Sequence, residues 1–323
     1  MRPFLEDGMT MVKTIVLALG GNAITRATEK GTREEQWTNI RSTCRHIAKL
    51  VKQGNRVLIT HGNGPQVGNL LLKNELAKDL VPPMPLDVCV SNTQGSLGYA
   101  ICQNLRNDLE EMGLDVPVAA VITQVVVSKD DPAFKNPTKF IGPFFTEEEA
   151  SRIMADKGHV MKEDSGRGWR RVVASPEPQE IIEKNTVKVL LDAGFVVVAG
   201  GGGGIPVIRT ASGTQGVEAV IDKDMAAQLL ANDIGADAFF LLTEVERVSI
   251  NFGKPNQVQL SRMTVEEARE YQQEGHFPPG SMGPKVEAAI RFASSAPGRQ
   301  AVIVSLEKAH LAFSGESGTV ITR

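Results

Sequence analysis

Three glycine-rich turns and two lysines hold most of the chemistry this sequence can offer. Gly20-Gly21-Asn22 follows an apolar run over residues 15–19, HGNGPQVG (61–68) follows another over 57–59, and five glycines (200–204) follow a third over 195–199. A glycine turn at the end of a parallel strand lets backbone N–H groups approach an anion, and the start of a following helix favours negative charge. Two such turns suggest one phosphate-sized site. Ordering each glycine costs about 0.5–1 kcal/mol relative to alanine, so the run of five argues for close approach of a ligand.

Lys223 in VIDKDM and Lys285 in GSMGPK both fall at predicted helix starts, where Pro284 suits the first helical position. An ammonium group there has the wrong sign for the helix dipole unless an anion neutralises it. Asp222 and Asp224 flank Lys223. A carboxylate can orient both ammonium groups, or Asp222 can simply cap the helix.

Other arrangements are absent from the sequence. It has no GxxxxGK[ST] and neither the HRD nor the DFG set of protein kinases, so phosphoryl chemistry must use another geometry. Gly62 and Gly64 are followed by a third glycine at 68 rather than 67, without the acidic partner of a dinucleotide fingerprint. The five histidines lack metal spacing, and no protein metal ligand is expected. His46 and His159 read as solvated, and His61 is a loop residue open to a direct role.

Apolar runs over 15–19, 57–59, 116–127, 195–199, 238–242 and 301–304 must position these turns. Their continuous hydrophobicity, separated by helix-length segments, predicts a parallel sheet covered on both faces. Trp37, Ile40, Cys44, Ile47 and Val51 follow helical spacing, with Thr32 and Glu35 as a capping box and Gly54 as the stop. Leu97, Ile101, Leu105 and Leu109 predict a helix ending at Gly113, and Met225, Ala226, Leu229 and Leu230 another. Prolines 132, 137, 143, 176 and 178 break this rhythm around a capped helix from Thr146 and a hairpin near 164–168. The stretch reads as an inserted subdomain, since structureless loops of that length are uncommon.

The 323 residues are 41% hydrophobic and 23% charged, which excludes a disordered chain. A net charge of −3 gives no global field for nucleic acid or an acidic membrane. The most apolar window, 195–208, contains the five glycines and falls short of the ~20 apolar residues of a membrane span. Three cysteines without CxxC spacing fit a reducing cytoplasm, and residues 1–10 read as a flexible extension without an apolar signal core.

In order along nearly the whole chain from Met11, LALGGNAI (17–24), THGNGPQVG (60–68), QGSLGY (94–99), SKDDPAFKNPTKFIGPFF (128–145), GGGGGIPV (200–207), VEAVIDKDMAAQLLA (217–231), LLTEVERVSINFGKPNQ (241–257) and GSMGPKVEAAIRF (280–292) resemble carbamate kinases. The resemblance implies an α/β fold: a three-layer α/β/α sandwich of the amino-acid kinase type, with a mostly parallel central sheet and a protruding subdomain inserted over 128–177. It implies a lobe over 11–210 for carbamoyl phosphate or carbamate and a lobe over 211–323 for the nucleotide. It further implies a cytoplasmic homodimer that moves a phosphoryl group between carbamoyl phosphate and ADP with Mg2+, giving ATP and carbamate at the end of the arginine deiminase pathway. Another amino-acid kinase, such as an acetylglutamate kinase, and a non-catalytic nucleotide-binding module of the same fold are the alternatives.

Carried onto this sequence, the resemblance makes Lys223, Lys285, Asp224 and Lys129 the catalytic set, with Lys129 reaching in from the inserted subdomain. Gly20, Gly21, Asn22, Gly62, Asn63, Gly64, Gln94 and Gly95 map to the phosphoryl and substrate site. Gly202, Gly203, Thr243, Glu244, Ser249, Asn251 and Met282 map to the nucleotide. Two motifs depart from the family pattern: its usual TDVDGVY reads TEVERVS over 243–249, and its usual MSQG reads NTQG over 92–95.

Overall fold

The structure is a computed structural model that describes residues 13–26, 29–164, 166–314 and 316–323; the extension expected over 1–10 lies outside the described residues. Strand Thr14–Leu19 is buried at every position, so both of its faces need cover. Val16 and Ala18 pack into one core with Phe239, Leu241, Ala301 and Ile303, while Ile15, Leu17 and Leu19 pack into another with Phe240, Leu242, Val302 and Val304. Side chains alternate across a strand. One apolar strand therefore builds two cores.

The described residues form the helices α1 (Arg33–Lys52), α2 (Gly64–Ala77), α3 (Leu86–Glu111), α4 (Glu147–Lys157), α5 (Lys184–Asp192), α6 (Lys223–Asp233), α7 (Val265–Gln273) and α8 (Met282–Ser294), of which all but α2 and α4 supply this cover. Ile40, Cys44 and Ile47 of α1 and Leu97, Ile101 and Leu105 of α3 close one face of the sheet. Met225 and Leu230 of α6 and Val286 and Ile290 of α8, with Val187 of α5 and Val265 of α7, close the other. The result is a three-layer α/β/α sandwich. Thr32 and Glu35 form the expected capping box of α1, as Thr146 and Glu149 do for α4.

From one edge to the other, the eight-stranded sheet runs Arg262–Thr264, Thr319–Thr322, Gln300–Ser305, Ala238–Thr243, Thr14–Leu19, Arg56–His61, Val196–Val198 and Val118–Ala120. The strands are parallel except at the first edge, where Thr319–Thr322 and its neighbour run against the rest. Thr14–Leu19 lies centrally between Ala238–Thr243 and Arg56–His61. The turns after these strands consequently open side by side.

The apolar run over 116–127 is not one strand. It divides into Val118–Ala120 in the main sheet and Gln124–Val127 in a second, four-stranded sheet. Gln94 of α3 causes the break: its Oε1 accepts from Thr123 N at 2.8 Å, and its Nε2 donates to Thr123 O at 3.1 Å. A side-chain amide takes the place of a ladder partner. The chain turns there from one sheet to the next.

The inserted stretch leaves from Gln124–Val127 and returns through its antiparallel neighbour Pro178–Ile181. Between them, Lys139–Phe145, Trp169–Val173 and Met161–Glu163 form a three-stranded antiparallel sheet. The predicted hairpin is present, closed by Asp164 N donating to Gly168 O at 2.8 Å. No helix among the described residues is long and apolar enough to cross a membrane.

Candidate active site

The turns at the strand ends open onto one cavity of about 1100 Å³. Gly20 and Gly21 line it beside Gly62, Asn63 and Gly64. Gly62 leaves room for a neighbour, since a Cβ added there would lie 3.3 Å from Cδ of Lys223. Asn63 is buried and donates through Nδ2 to Thr93 Oγ1 at 2.8 Å. Asn22 belongs to the short turn Gly21–Ala23, and its side chain lies outside the described residues.

Helices α6 and α8 bring the two lysines to this floor. Asp222 caps α6 by accepting from Asp224 N at 3.0 Å, and its other oxygen meets Lys139 Nζ at 3.1 Å. The two flanking carboxylates thus have different partners, Asp222 at the helix cap and Asp224 at the two ammonium groups. Asp224 Oδ1 receives Lys223 Nζ at 2.6 Å, and its Oδ2 receives Lys285 Nζ at 3.0 Å. Helix α8 starts at Met282, so Pro284 is its third residue rather than its first and Lys285 stands one further along. That offset puts Lys285 within the first turn and a half, near N–H groups that have no intrahelical partner.

The electrostatics follow from this sharing. Burial alone would raise the carboxyl of Asp224, but Lys223 and Lys285 more than reverse it and hold it at about 2. Burial lowers Lys285 to about 8, helped by the like charge of Lys223. Burial also opposes the charge of Lys223, but Asp224 outweighs it and raises that lysine above its ordinary value. The shorter contact goes with the lysine that keeps its proton better. Two ammonium groups and one carboxylate leave a net positive charge facing the cavity.

The inserted sheet contributes Lys139, Phe140, Ile141 and Arg170 to the cavity wall. Lys129 is exposed at the turn after Gln124–Val127 and is not among the lining residues. The segment thus sends Lys139 and Arg170 to the cavity, neither of which the sequence motifs singled out. Lys139 could have been noticed in NPTKFIGP, where it stands between Pro137 and Pro143 and beside Phe140.

The glycine run is crowded mainly by the protein itself. A Cβ would come within 2.5 Å of His61 Nε2 at Gly201, 2.2 Å of Asn63 Nδ2 at Gly202, 2.3 Å of Ile221 O at Gly203 and 2.1 Å of Val125 Cγ2 at Gly204. Only Gly202 of the run lines the cavity, so Gly203 does not share it with the nucleotide-side residues. Gln94 is buried and donates to Gly201 O at 2.9 Å, which makes it a support for the run. Gly95, on α3, does not line the cavity. His61 is buried and lowered to about 4 by burial, against the opposing effect of its contact with Gly62 O at 2.9 Å. It stays neutral and structural.

Thr243, Glu244, Ser249 and Met282 also line the cavity, together with Arg247, Phe252 and His276. Asn251 is not a lining residue; it has φ 53, and its N–H donates to His276 Nδ1 at 3.4 Å. Arg247 is tied to the chain's end by Nη2 on Glu316 O at 3.1 Å. Among the described residues, no group of three His, Cys, Asp or Glu side chains can hold a metal ion.

Known proteins resemble this chain in sequence and fold over nearly its whole length. The family model described as the amino acid kinase family matches residues 13–305. The chain belongs to the amino acid kinase family. Within that family it is 49% identical over 315 residues to the carbamate kinase of Thermococcus kodakarensis, covering 97% of this chain and 100% of the relative. It is 50% identical to the carbamate kinase-like protein YqeA of Escherichia coli, over 96% of this chain and 99% of that one. Carbamate kinase from Giardia lamblia bound to AMP-PNP superposes with a TM-score of 0.91 at 42% identity, over 97% of this chain and 99% of that one. These relatives place the chain with the carbamate kinases of the amino acid kinase family, and it is a kinase.

Proposed function

We propose that this cavity transfers a phosphoryl group reversibly between carbamoyl phosphate and ADP, giving carbamate and ATP. The observation that carries the reading is the pair of lysines on one buried carboxylate, with Lys223 packed beside the glycine turn at Gly62 and all of them lining a single cavity. A phosphoryl group passing between anions needs positioning and charge stabilisation more than covalent help. Lys223 and Lys285 take the moving group, Asp224 spaces them, and the turns at Gly20-Gly21 and Gly62-Asn63-Gly64 hold the donor. The acceptor is already an oxyanion, so no general base is required.

Lys139 and Arg170 are assigned to the carbamoyl phosphate side, because both come from the inserted sheet and line the cavity, Lys139 beside the cap of α6. Thr243, Glu244, Ser249, Phe252 and Met282 are assigned to ADP. Both oxygens of Asp224 and both of Asp222 are engaged by nitrogen donors, so a magnesium ion fits here as a passenger on the nucleotide phosphates. It would neutralise phosphate charge there.

The same reading sets the reaction in a reducing cytoplasm, as the ATP-yielding end of arginine deiminase fermentation, in a homodimer. Its three free cysteines suit a reducing compartment. Leu76 and Leu80, 77% and 88% exposed, offer apolar surface that a second copy can cover. The deciding experiment is ATP formation from ADP and carbamoyl phosphate, with acetylglutamate phosphorylation measured in parallel. Activity only with acetylglutamate would move the acceptor, and activity with neither would remove catalysis.

A further inference from the structure

The cation that Arg170 presents to the cavity is held from behind. Its Nη1 donates to Asp164 Oδ2 at 3.0 Å and its Nε to Gly142 O at 3.1 Å. The guanidinium carbon lies 5.0 Å from the ring centre of Phe144 and 5.8 Å from that of Phe140. Two of its five N–H groups are thereby used, and the side chain remains 21% exposed at the cavity wall.

Asp164 itself is far less accessible. Its side chain is 5% exposed, at the turn between Met161–Glu163 and Trp169–Val173, and it does not line the cavity. Its Oδ1 accepts from Arg167 Nη2 at 2.7 Å, and Arg167 is 62% exposed and also absent from the lining. One carboxylate thus serves two arginines with different surroundings. Arg170 lines the cavity, whereas Arg167, 5.3 Å from the same Phe144 ring centre, is open to solvent and does not.

We infer that Asp164 is a positioning residue for substrate binding, acting through the guanidinium of Arg170 on the phosphate of carbamoyl phosphate. The inference rests on the proposed function for the identity of the substrate, though not for the anion. A guanidinium already locked between a carboxylate, a carbonyl and two rings loses little rotamer freedom when an anion arrives. Asp164 also fixes the plane of the fork, which decides whether the remaining N–H groups can meet two phosphate oxygens. Arg167 supplies an internal control, since it shares the carboxylate and lacks the cavity contact.

The test compares the full-length variants Asp164→Asn, Arg170→Gln, Arg167→Gln and the Asp164→Asn/Arg170→Gln double, by steady-state kinetics in both substrates and by melting temperature. Asp164→Asn and Arg170→Gln are each expected to raise KM for carbamoyl phosphate about tenfold while KM for ADP stays within about twofold. The double variant should be no worse than Arg170→Gln, because the two residues act as one unit. Arg167→Gln should leave both constants near wild type. Multiplying effects in the double variant, or an equal rise in both KM values for Asp164→Asn, would overturn the inference. Inorganic phosphate provides a readout independent of turnover: it should raise the melting temperature of wild type and Arg167→Gln, and about tenfold more phosphate should be needed for the same rise in Asp164→Asn, whereas an unchanged phosphate response in Asp164→Asn would overturn the inference. If wild type makes no ATP from carbamoyl phosphate, the substrate reading fails, and the phosphate response alone decides the role of Asp164.

Discussion

Asp224 and Lys285 stand 61 residues apart in the chain and 3.0 Å apart in the structure, while Lys223, the sequence neighbour of Asp224, takes the other oxygen of the same carboxylate. The side chains of both lysines are less than one-fifth exposed. Bringing two cations together in a partly desolvated site is unfavourable, and at 4 Å two unit charges repel by about 4 kcal/mol at an effective dielectric near 20. Asp224 offsets that repulsion.

Lys223→Ala and Lys285→Ala should each lower turnover about 10²-fold or more, since one preorganised charge donor is typically worth roughly 3–4 kcal/mol in the transition state. Lys223→Arg should also fail, because a planar fork does not replace a compact ammonium group. Asp224→Asn preserves shape and removes the charge, so turnover should fall to a similar degree. Single-turnover kinetics on purified variants checks all four. Near-wild-type rates in Asp224→Asn would leave its carboxylate a purely structural role.

The alkaline limb of kcat/KM should follow Lys285. Burial and the neighbouring charge of Lys223 hold it at about 8, below its ordinary 10.5, so the free enzyme loses this cation as pH rises through about 8. For Asp224 the sign is opposite: its folded-state value of about 2 lies below its ordinary 3.8. Its contribution to stability is complete above about pH 3.8 and is lost as pH falls towards 2. A pH–rate profile and urea unfolding at acid pH give the two limbs separately, and Asp224→Asn should shift the first to lower pH.

Lys139→Ala should raise KM for carbamoyl phosphate more than KM for ADP, because Lys139 lines the cavity and pairs with the cap of α6. Lys129→Ala should change neither by more than about twofold, as its side chain is exposed and outside the lining. Initial-rate measurements over both substrates distinguish the lysines. A selective loss in Lys129→Ala would mean that the inserted sheet moves over the cavity during turnover.

Glycine substitutions separate crowding from propensity. Gly203 has φ 91, and an added Cβ would sit 2.3 Å from Ile221 O, so Gly203→Ala should cost more than about 2 kcal/mol through strain and overpacking. Gly95 lies inside α3 with nothing within 4 Å of an added Cβ, so Gly95→Ala should gain about 0.5–1 kcal/mol. Its turnover should stay unchanged if Gly95 takes no part in substrate binding. Thermal melts and assays of the two variants test both statements.

Much of this fold was already legible in the sequence. Apolar runs separated by capped helical periods specify a buried parallel sheet, because such strands need cover on both faces and Thr32 with Glu35 or Thr146 with Glu149 mark where helices begin. Glycines after strands and lysines at helix starts are local signals, so Gly20, Gly62, Lys223 and Lys285 could be marked before any contact was known. Contacts between distant segments were not legible. Gln94 breaking the run over 116–127, the glycine run crowding His61, Asn63, Ile221 and Val125, and Lys139 rather than Lys129 facing the cavity all depend on how separate elements pack. Periodicity and turn chemistry act over a few residues, whereas a hydrogen bond such as that between Gln94 and Gly201, 107 residues apart, exists only once the chain has folded.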